Sequence, residues 1–262
     1  MDPDFASAHE ADTSSIPHPD GASEQKPGEN PGAGPDPRPA APEFALVIRA
    51  HNDASRIALT VLAARRLPQV RAVLVLESGS TDSTRRVALD SGATLLADEA
   101  DLAGYTPLPL LCIRPSREGG ATHALDEVLP LVGPVASGAA DMALGWCPAE
   151  GRGRAAERLE RRGLARAGLA LPRASGASGA SGRPGVLTGE YCLTSAAFAA
   201  SWPPASGAGE LVGRAADLLR AGLRVAPVQL EPPRLMRPLG LRERREVARA
   251  LRGRRSVTGG GA

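Results

Sequence analysis

Lysine is nearly missing from this chain: Lys26 stands alone, and every other basic side chain is arginine. A Schiff-base cofactor site and a Walker A loop each need a lysine amine at a fixed place. Lys26 lies in a Pro/Gly-rich stretch with almost no large apolar residues, so both chemistries are excluded. Aromatic residues are scarce, 3% against 42% hydrophobic residues overall, so the core must be built from Ala, Val and Leu. The three cysteines, Cys112, Cys147 and Cys192, are far apart and form no Cys-x-x-Cys pair. That pattern suits a reducing cytoplasm and yields no zinc site. No run of about 18 apolar residues exists, so no membrane-spanning helix is expected. The start, Met1-Asp2-Pro3-Asp4, lacks a basic segment followed by an apolar one, and no signal peptide is expected. A formal net charge of +2 is too small to argue for a nucleic-acid partner. No G-x-S-x-G elbow is present, and no G-x-G-x-x-G turn follows the first apolar run.

What is present divides into a tail and a patterned body. Residues 1–42 are rich in Pro, Gly, Asp, Glu and Ser and cannot bury enough surface to offset their ordering entropy, so a disordered tail is expected, with His9 and His18 solvated. From Phe44 the pattern changes. Phe44–Ile48 reads as a strand buried on both faces. Asn52, Asp53 and Ser55 are good cap residues, and Ile57, Val61 and Ala64 recur at helical spacing through Arg66. Val73–Leu76 is a second strand, and Thr84, Val87 and Ala88 mark a second helix with Gly92 at its C-cap. Thr94–Leu96 is a third strand. Strands buried on both faces and joined by helices imply a parallel sheet with right-handed crossovers. Further along, the pattern predicts a strand over 108–113, a helix over 121–131, a strand over 142–144 and a charged helix over 152–167. Residues 174–185 form a Ser-Gly-Ala repeat that reads as a flexible loop. Helices over 194–200 and 210–221, a strand over 223–230 and a basic helix over 241–255 complete the reading.

Two segments carry a family resemblance. Leu46-Val47-Ile48-Arg49-Ala50-His51-Asn52-Asp53 resembles the opening strand and loop of the family 2 glycosyltransferases, which often read apolar-apolar-Pro-Ala-Tyr-Asn-Glu. Val75-Leu76-Glu77-Ser78-Gly79-Ser80-Thr81-Asp82-Ser83-Thr84 is similar to their second-strand motif, Val-Val-Asp-Asp-Gly-Ser-Thr-Asp-Gly-Thr. Order and separation match. Ser137–Met142 and Leu219–Val225 also look like segments of bacterial members, so the resemblance spans about 44–230. It implies an α/β fold of the GT-A (nucleotide-diphospho-sugar transferase) kind: a mostly parallel central sheet flanked by helices. It also implies transfer of a sugar from a nucleotide-sugar donor to an acceptor the sequence leaves unnamed. In an open parallel sheet, ligands sit beyond the carboxyl ends of the strands, where both loops would lie. The resemblance assigns donor binding to Ala50, Asn52, Asp53, Glu77, Ser78, Gly79 and Asp82. The local alternative is that Asp53 and Asp82 serve helix N-termini.

The chain departs from the family where a divalent cation, Mg or Mn, is usual. The family carries Asp-x-Asp after its fourth strand, holding a metal on the diphosphate. Here Leu110–Ile113 runs into Arg114-Pro115-Ser116-Arg117-Glu118-Gly119-Gly120. No cofactor is therefore assigned. Arg114 and Arg117 are candidates to hold phosphate oxygens without a metal, and Asp98, Glu99 and Asp101 are candidates for a displaced metal site. Glu210 and Glu190 are the candidate catalytic bases, with His51 and His123 behind them. The alternative reading is a descendant that keeps the fold as a binding or scaffold module. In Leu241–Arg252 the large apolar positions are Leu241, Val247 and Leu251. That pattern fits a solvated or domain-packing helix, or peripheral contact with an anionic membrane. The expected organisation is a tail over 1–42, a glycosyltransferase-like domain over 43–230 and a basic helix with a flexible end over 231–262.

Overall fold

The computed structural model describes residues 42–105, 108–113, 125–148, 154–173, 183–205, 207–231 and 239–252. The expectations for the N-terminal tail, for Arg114, Arg117 and His123, and for the repeat over 174–182 lie outside the described residues.

Seven strands form one sheet: β1 (Phe44–Ala50), β2 (Val70–Glu77), β3 (Thr94–Leu96), β4 (Leu110–Ile113), β5 (Met142–Pro148), β6 (Gly185–Leu193) and β7 (Val225–Gln229). Their order across the sheet is β3-β2-β1-β4-β6-β5-β7. β6 runs antiparallel to β4 and β5, and the other pairings are parallel. The mostly parallel α/β sheet expected from alternating strand and helix patterns is what forms. The helices are α1 (Ala54–Arg65), α2 (Thr84–Asp90), α3 (Val132–Ala136), α4 (Arg154–Arg166), α5 (Ser195–Ala200), α6 (Glu210–Arg220) and α7 (Leu241–Leu251).

Because side chains alternate along a strand, the sheet feeds two apolar layers. Leu46 and Ile48 of β1 pack with Ile57, Val61 and Ala64 of α1 and with Val132 and Val135 of α3. Ala45 and Val47 face the other way and join Leu164 of α4, Val212, Ala215 and Leu218 of α6, and Val247 of α7.

Three expectations need correction. The helix over 121–131 is replaced, within the described residues, by two short helical turns, Leu125–Glu127 and Leu129–Leu131, followed by α3. Pro130 and Pro134 remove amide donors there and break a regular helix. Gly185 is not the end of a loop but the first residue of β6. Its paired backbone lies so close to Trp146 that an added Cβ would stand 2.6 Å from the indole. β6 as a whole escaped the pattern reading: Thr188, Gly189 and Glu190 interrupt its apolar alternation, and Gly189 has a positive φ of 106°.

The C-terminal helix packs against α4 and α6. Val247 is fully buried, and the Leu251 side chain lies over Gly163 of α4. Two of its three large apolar side chains are thus committed to the domain, which leaves Leu241 at 73% exposure. That is the physical objection to a membrane-lying helix. Among the described residues no helix is long and apolar enough to cross a membrane.

Candidate functional site

The sheet order reverses direction at β1, with β2 and β3 to one side and β4 to the other. In open α/β sheets this switch point opens a crevice beyond the carboxyl ends of the two central strands. The loops after β1 and β2 lie at that end of the sheet. The segment after β4, beginning at Arg114, lies outside the described residues.

The two loops are welded together. The Asn52 amide donates to Ser80 Oγ at 3.0 Å, and the Thr81 amide donates back to Asn52 Oδ1 at 2.9 Å. Asn52 reaches this position with φ 55°, a left-handed conformation that Asn tolerates better than most residues. Gly79, at φ 67°, makes the matching turn in the second loop. His51 Nδ1 donates to the Ser78 carbonyl at 2.7 Å; that acceptor fixes the tautomer, and Nε2 lies 3.4 Å from Asn52 Nδ2 as an acceptor. The Ser78 amide donates to the Ala50 carbonyl at 3.2 Å.

The carboxylates hold this frame. Asp82 accepts from the Ala54 amide at 3.2 Å and from the Thr84 amide at 2.9 Å, so one side chain serves the first residues of both α1 and α2. A negative charge at two helix N-termini is favourable. The Thr84 hydroxyl also donates to Asp82, and this bond, first among the causes, lowers the Asp82 pKa. Asp53, 3% exposed, does not cap α1 with its side chain. Its carboxylate instead accepts from the His51 amide at 2.9 Å and from Arg56 at 2.9 Å. Glu77 accepts from the Ser80 amide and faces Arg85. Hydrogen bonding from the Ser80 side chain and amide lowers its pKa. A carboxylate offers about four acceptor positions, so these bonds leave capacity for a ligand. Asn52, Ser78, Gly79 and Asp82 are exposed, whereas Ala50 and Asp53 are buried.

A second polar group sits on the α6 side of the sheet, near the carboxyl end of β1. Arg49 grips Glu210 with both guanidinium nitrogens, Nη1 to Oε2 at 2.9 Å and Nη2 to Oε1 at 2.8 Å. Its Nη2 also reaches Glu99 at 2.7 Å and the Tyr191 hydroxyl at 3.2 Å. Arg214, with a side chain 0% exposed, donates to Glu99 at 2.6 Å and to Ser201 Oγ at 2.8 Å. Its guanidinium also lies 5.9 Å from the Tyr191 ring centre and 5.6 Å from that of Phe198. Two cations and two anions balance in a largely dry setting. Burial, the leading cause, pushes the Tyr191 phenol up, so it stays protonated.

The candidate bases are therefore separated. Glu210 is 8% exposed and held by Arg49. Glu190 is 3% exposed and follows Gly189 in β6, one residue beyond the Tyr191–Cys112 pair, at the carboxyl end of β4. Tyr191 faces the Arg49 layer, so strand alternation places Glu190 on the opposite face of the sheet.

Among the described residues, the acidic side chains after β3 do not fit the divalent cation usual in the family. Asp101 accepts from the Ala97 and Asp98 amides, Asp98 accepts from the Ala100 amide, and Glu99 points at two arginines. Among the described residues no three His, Cys, Asp or Glu side chains gather as a metal-binding set.

Sequence reasoning had no place for the Arg49–Tyr191–Ser201–Arg214 group. One signal was available: Arg49 is a charge inside an otherwise apolar strand, at the position where the family pattern has proline. A buried charge demands partners, but which elements supply them is set by packing.

Solved structures share this overall fold. A crystal structure of M. tuberculosis glucosyl-3-phosphoglycerate synthase superposes with a TM-score of 0.59 at 24% identity, covering 81% of this chain and 80% of that one. The chain has the GT-A fold. The same enzyme from Mycobacterium tuberculosis in complex with Mn2+, UDP-glucose and phosphoglyceric acid gives 0.58 at 23% identity, covering 83% and 82%. Mannosyl-3-phosphoglycerate synthase from Rubrobacter xylanophilus gives 0.59 at 20% identity, covering 80% and 72%. These neighbours are GT-A glycosyltransferases. No protein-family model matches the sequence, and no curated protein matches it.

Proposed function

We propose that this protein binds a nucleoside diphosphate sugar in the crevice beyond β1, β2 and β4 and transfers the sugar to a small acceptor. The observation that carries the reading is the pair of loops locked to each other at the switch point by the Asn52, Ser80 and Thr81 hydrogen bonds. A rigid polar wall at that place suits a ribose and base, because it is organised before the ligand arrives. In this reading Asn52, Ser78 and Gly79 face the nucleoside, and the spare acceptor positions of Asp53, Glu77 and Asp82 take ribose or base hydrogens. Ala50 leaves room for the base to approach the backbone.

The charge of the departing nucleoside diphosphate then falls to arginine. Arg114 and Arg117 follow the carboxyl end of β4 in sequence, and a guanidinium holds phosphate oxygens in a bidentate fork without a metal. No step is assigned to a cation, since the described residues gather no set of ligands that would hold one. Of the two candidate bases, Glu190 is favoured by its place beside the end of β4. Glu210 is neutralised by Arg49 and would have to break a bidentate pair to accept a proton.

Titration calorimetry with UDP, GDP and their glucose and mannose conjugates tests the donor site. Uridine compounds come first because structural neighbours bind UDP and UDP-glucose. Saturable binding of one of them, lost in Asn52→Ala together with Gly79→Val, is the expected result. Failure of all six to bind removes the proposal. Phosphoglyceric acid is the first acceptor to try in a product assay, since neighbours bind it.

A further inference from the structure

A cavity of about 590 Å³ lies between α4 and α7, lined by Arg158, Arg162, Arg166 and Arg252 around a floor that includes Leu159 and Leu251. It is separate from the crevice. α6 runs from Glu210, which Arg49 holds near the carboxyl end of β1, to Arg220, whose Nη2 donates to the Leu251 carbonyl at 2.7 Å. Eleven helical residues separate the two ends, roughly 15 Å of rise.

The arrangement of charge is unusual for a surface helix. Arg158, Arg162 and Arg166 follow one another at i, i+4 and i+8, a row of like charges that repel along the helix. The neighbouring row holds an ion pair, Arg161 with Glu157 at 3.3 Å, and Arg158 has a partner of its own. Arg162 and Arg166 are exposed and have no carboxylate partner among the described residues. Arg252, at the end of α7, adds a fourth guanidinium from across the cavity. The floor is made by close approach: a Cβ on Gly163 would stand 2.1 Å from Leu251, so this glycine lets the leucine seat against α4.

We infer that this cavity is a binding site for a phosphorylated small molecule, its phosphate held by the arginines and its apolar part resting on Leu159 and Leu251. The volume falls within the range of small-molecule sites, and guanidinium groups on opposite sides suit a polyvalent anion. The shape favours a free ligand over a membrane surface. Leu159 and Leu251 are half-buried while the four arginines are exposed, whereas a membrane-lying helix presents its apolar side chains outermost. This inference is independent of the transferase reading.

The test uses the full chain, with pyrophosphate, octyl phosphate and vesicles containing phosphatidylglycerol as probes in titration calorimetry. The expected result is one site per chain for octyl phosphate or pyrophosphate, weakened about tenfold or more in Arg162→Gln/Arg166→Gln. The control variant Arg245→Gln/Arg249→Gln removes the same charge from α7 outside the cavity and should weaken binding less than about threefold. All four substituted positions are exposed, so both variants should melt near the parent. Equal weakening in both variants would reduce the effect to net charge and overturn the site. So would the absence of saturable binding, or binding to vesicles alone.

Discussion

At the scale of single residues, Asp82 shows how one carboxylate can determine a loop pair. It receives amides from the starts of α1 and α2, and hydrogen bonding holds its pKa low. Glu77 is lowered by Ser80, and Asp141 by its hydrogen bonds from Arg224. A carboxylate with a depressed folded pKa contributes stability that is present above its unfolded value, about 4, and lost as pH falls through the folded value. The urea midpoint should therefore hold between about pH 7 and pH 5 and drop below about pH 4, with a shallower drop in Asp82→Asn; the same dependence in parent and variant would remove Asp82 from this account. The cysteines give a second prediction. All three are buried, and burial pushes the Cys112 thiol up to about 11 and raises Cys192 too. A thiol reagent at about pH 8 should find none reactive in the folded protein and three after unfolding, since the thiolate is the reactive form. Arg214 gives a third. Replacing it with Leu leaves Glu99 and Glu210 facing Arg49 alone, an uncompensated buried charge costing about 3–5 kcal/mol, readable from urea unfolding.

At the scale of elements, α7 shows how glycine decides docking. A Cβ on Gly209 would stand 2.7 Å from the Glu246 carbonyl oxygen and 2.8 Å from Ala250 Cβ, both on α7. Backbone cannot rotate aside as a leucine tip can. Gly209→Val should destabilise the fold by about 1–3 kcal/mol and speed proteolysis at the α7 junction, whereas Gly133→Ala, with nothing near its Cβ and no left-handed backbone, should leave that junction protected. Elements with strong periodicity were readable in advance. β1, α1, β2, α2 and β3 follow from apolar runs and turn residues, and α6 from its spacing of Val212, Ala215, Ala216 and Leu218. β6 was not readable, because Thr188-Gly189-Glu190 looks like a turn in isolation. It is a strand because β4 and β5 offer their edges to it, and pairing overrides local propensity.

At the scale of the whole molecule, the donor proposal yields a prediction about metals. If arginine rather than a cation meets the diphosphate, UDP affinity should be unchanged by a chelator. It should fall about tenfold or more in Arg114→Gln/Arg117→Gln, since charge-assisted bonds to phosphate are lost. A chelator-sensitive affinity would point instead to displaced carboxylates. The sequence alone determined the scarcity of aromatics in the core, the order of the first strands and helices, the Gly-Ser-Thr-Asp turn and a basic chemistry that rests on arginine outside Lys26. These are local matters of composition and period. Tertiary structure decided that Asp82 would bridge two helices and that Arg49 would close on Glu210 from 161 residues away. It also set Glu190 and Glu210 on opposite faces and stacked α7 on α4 to form an arginine-lined cavity. Each of these depends on which strands pair and which helices approach, and side chains meet across such distances only after the sheet has ordered them.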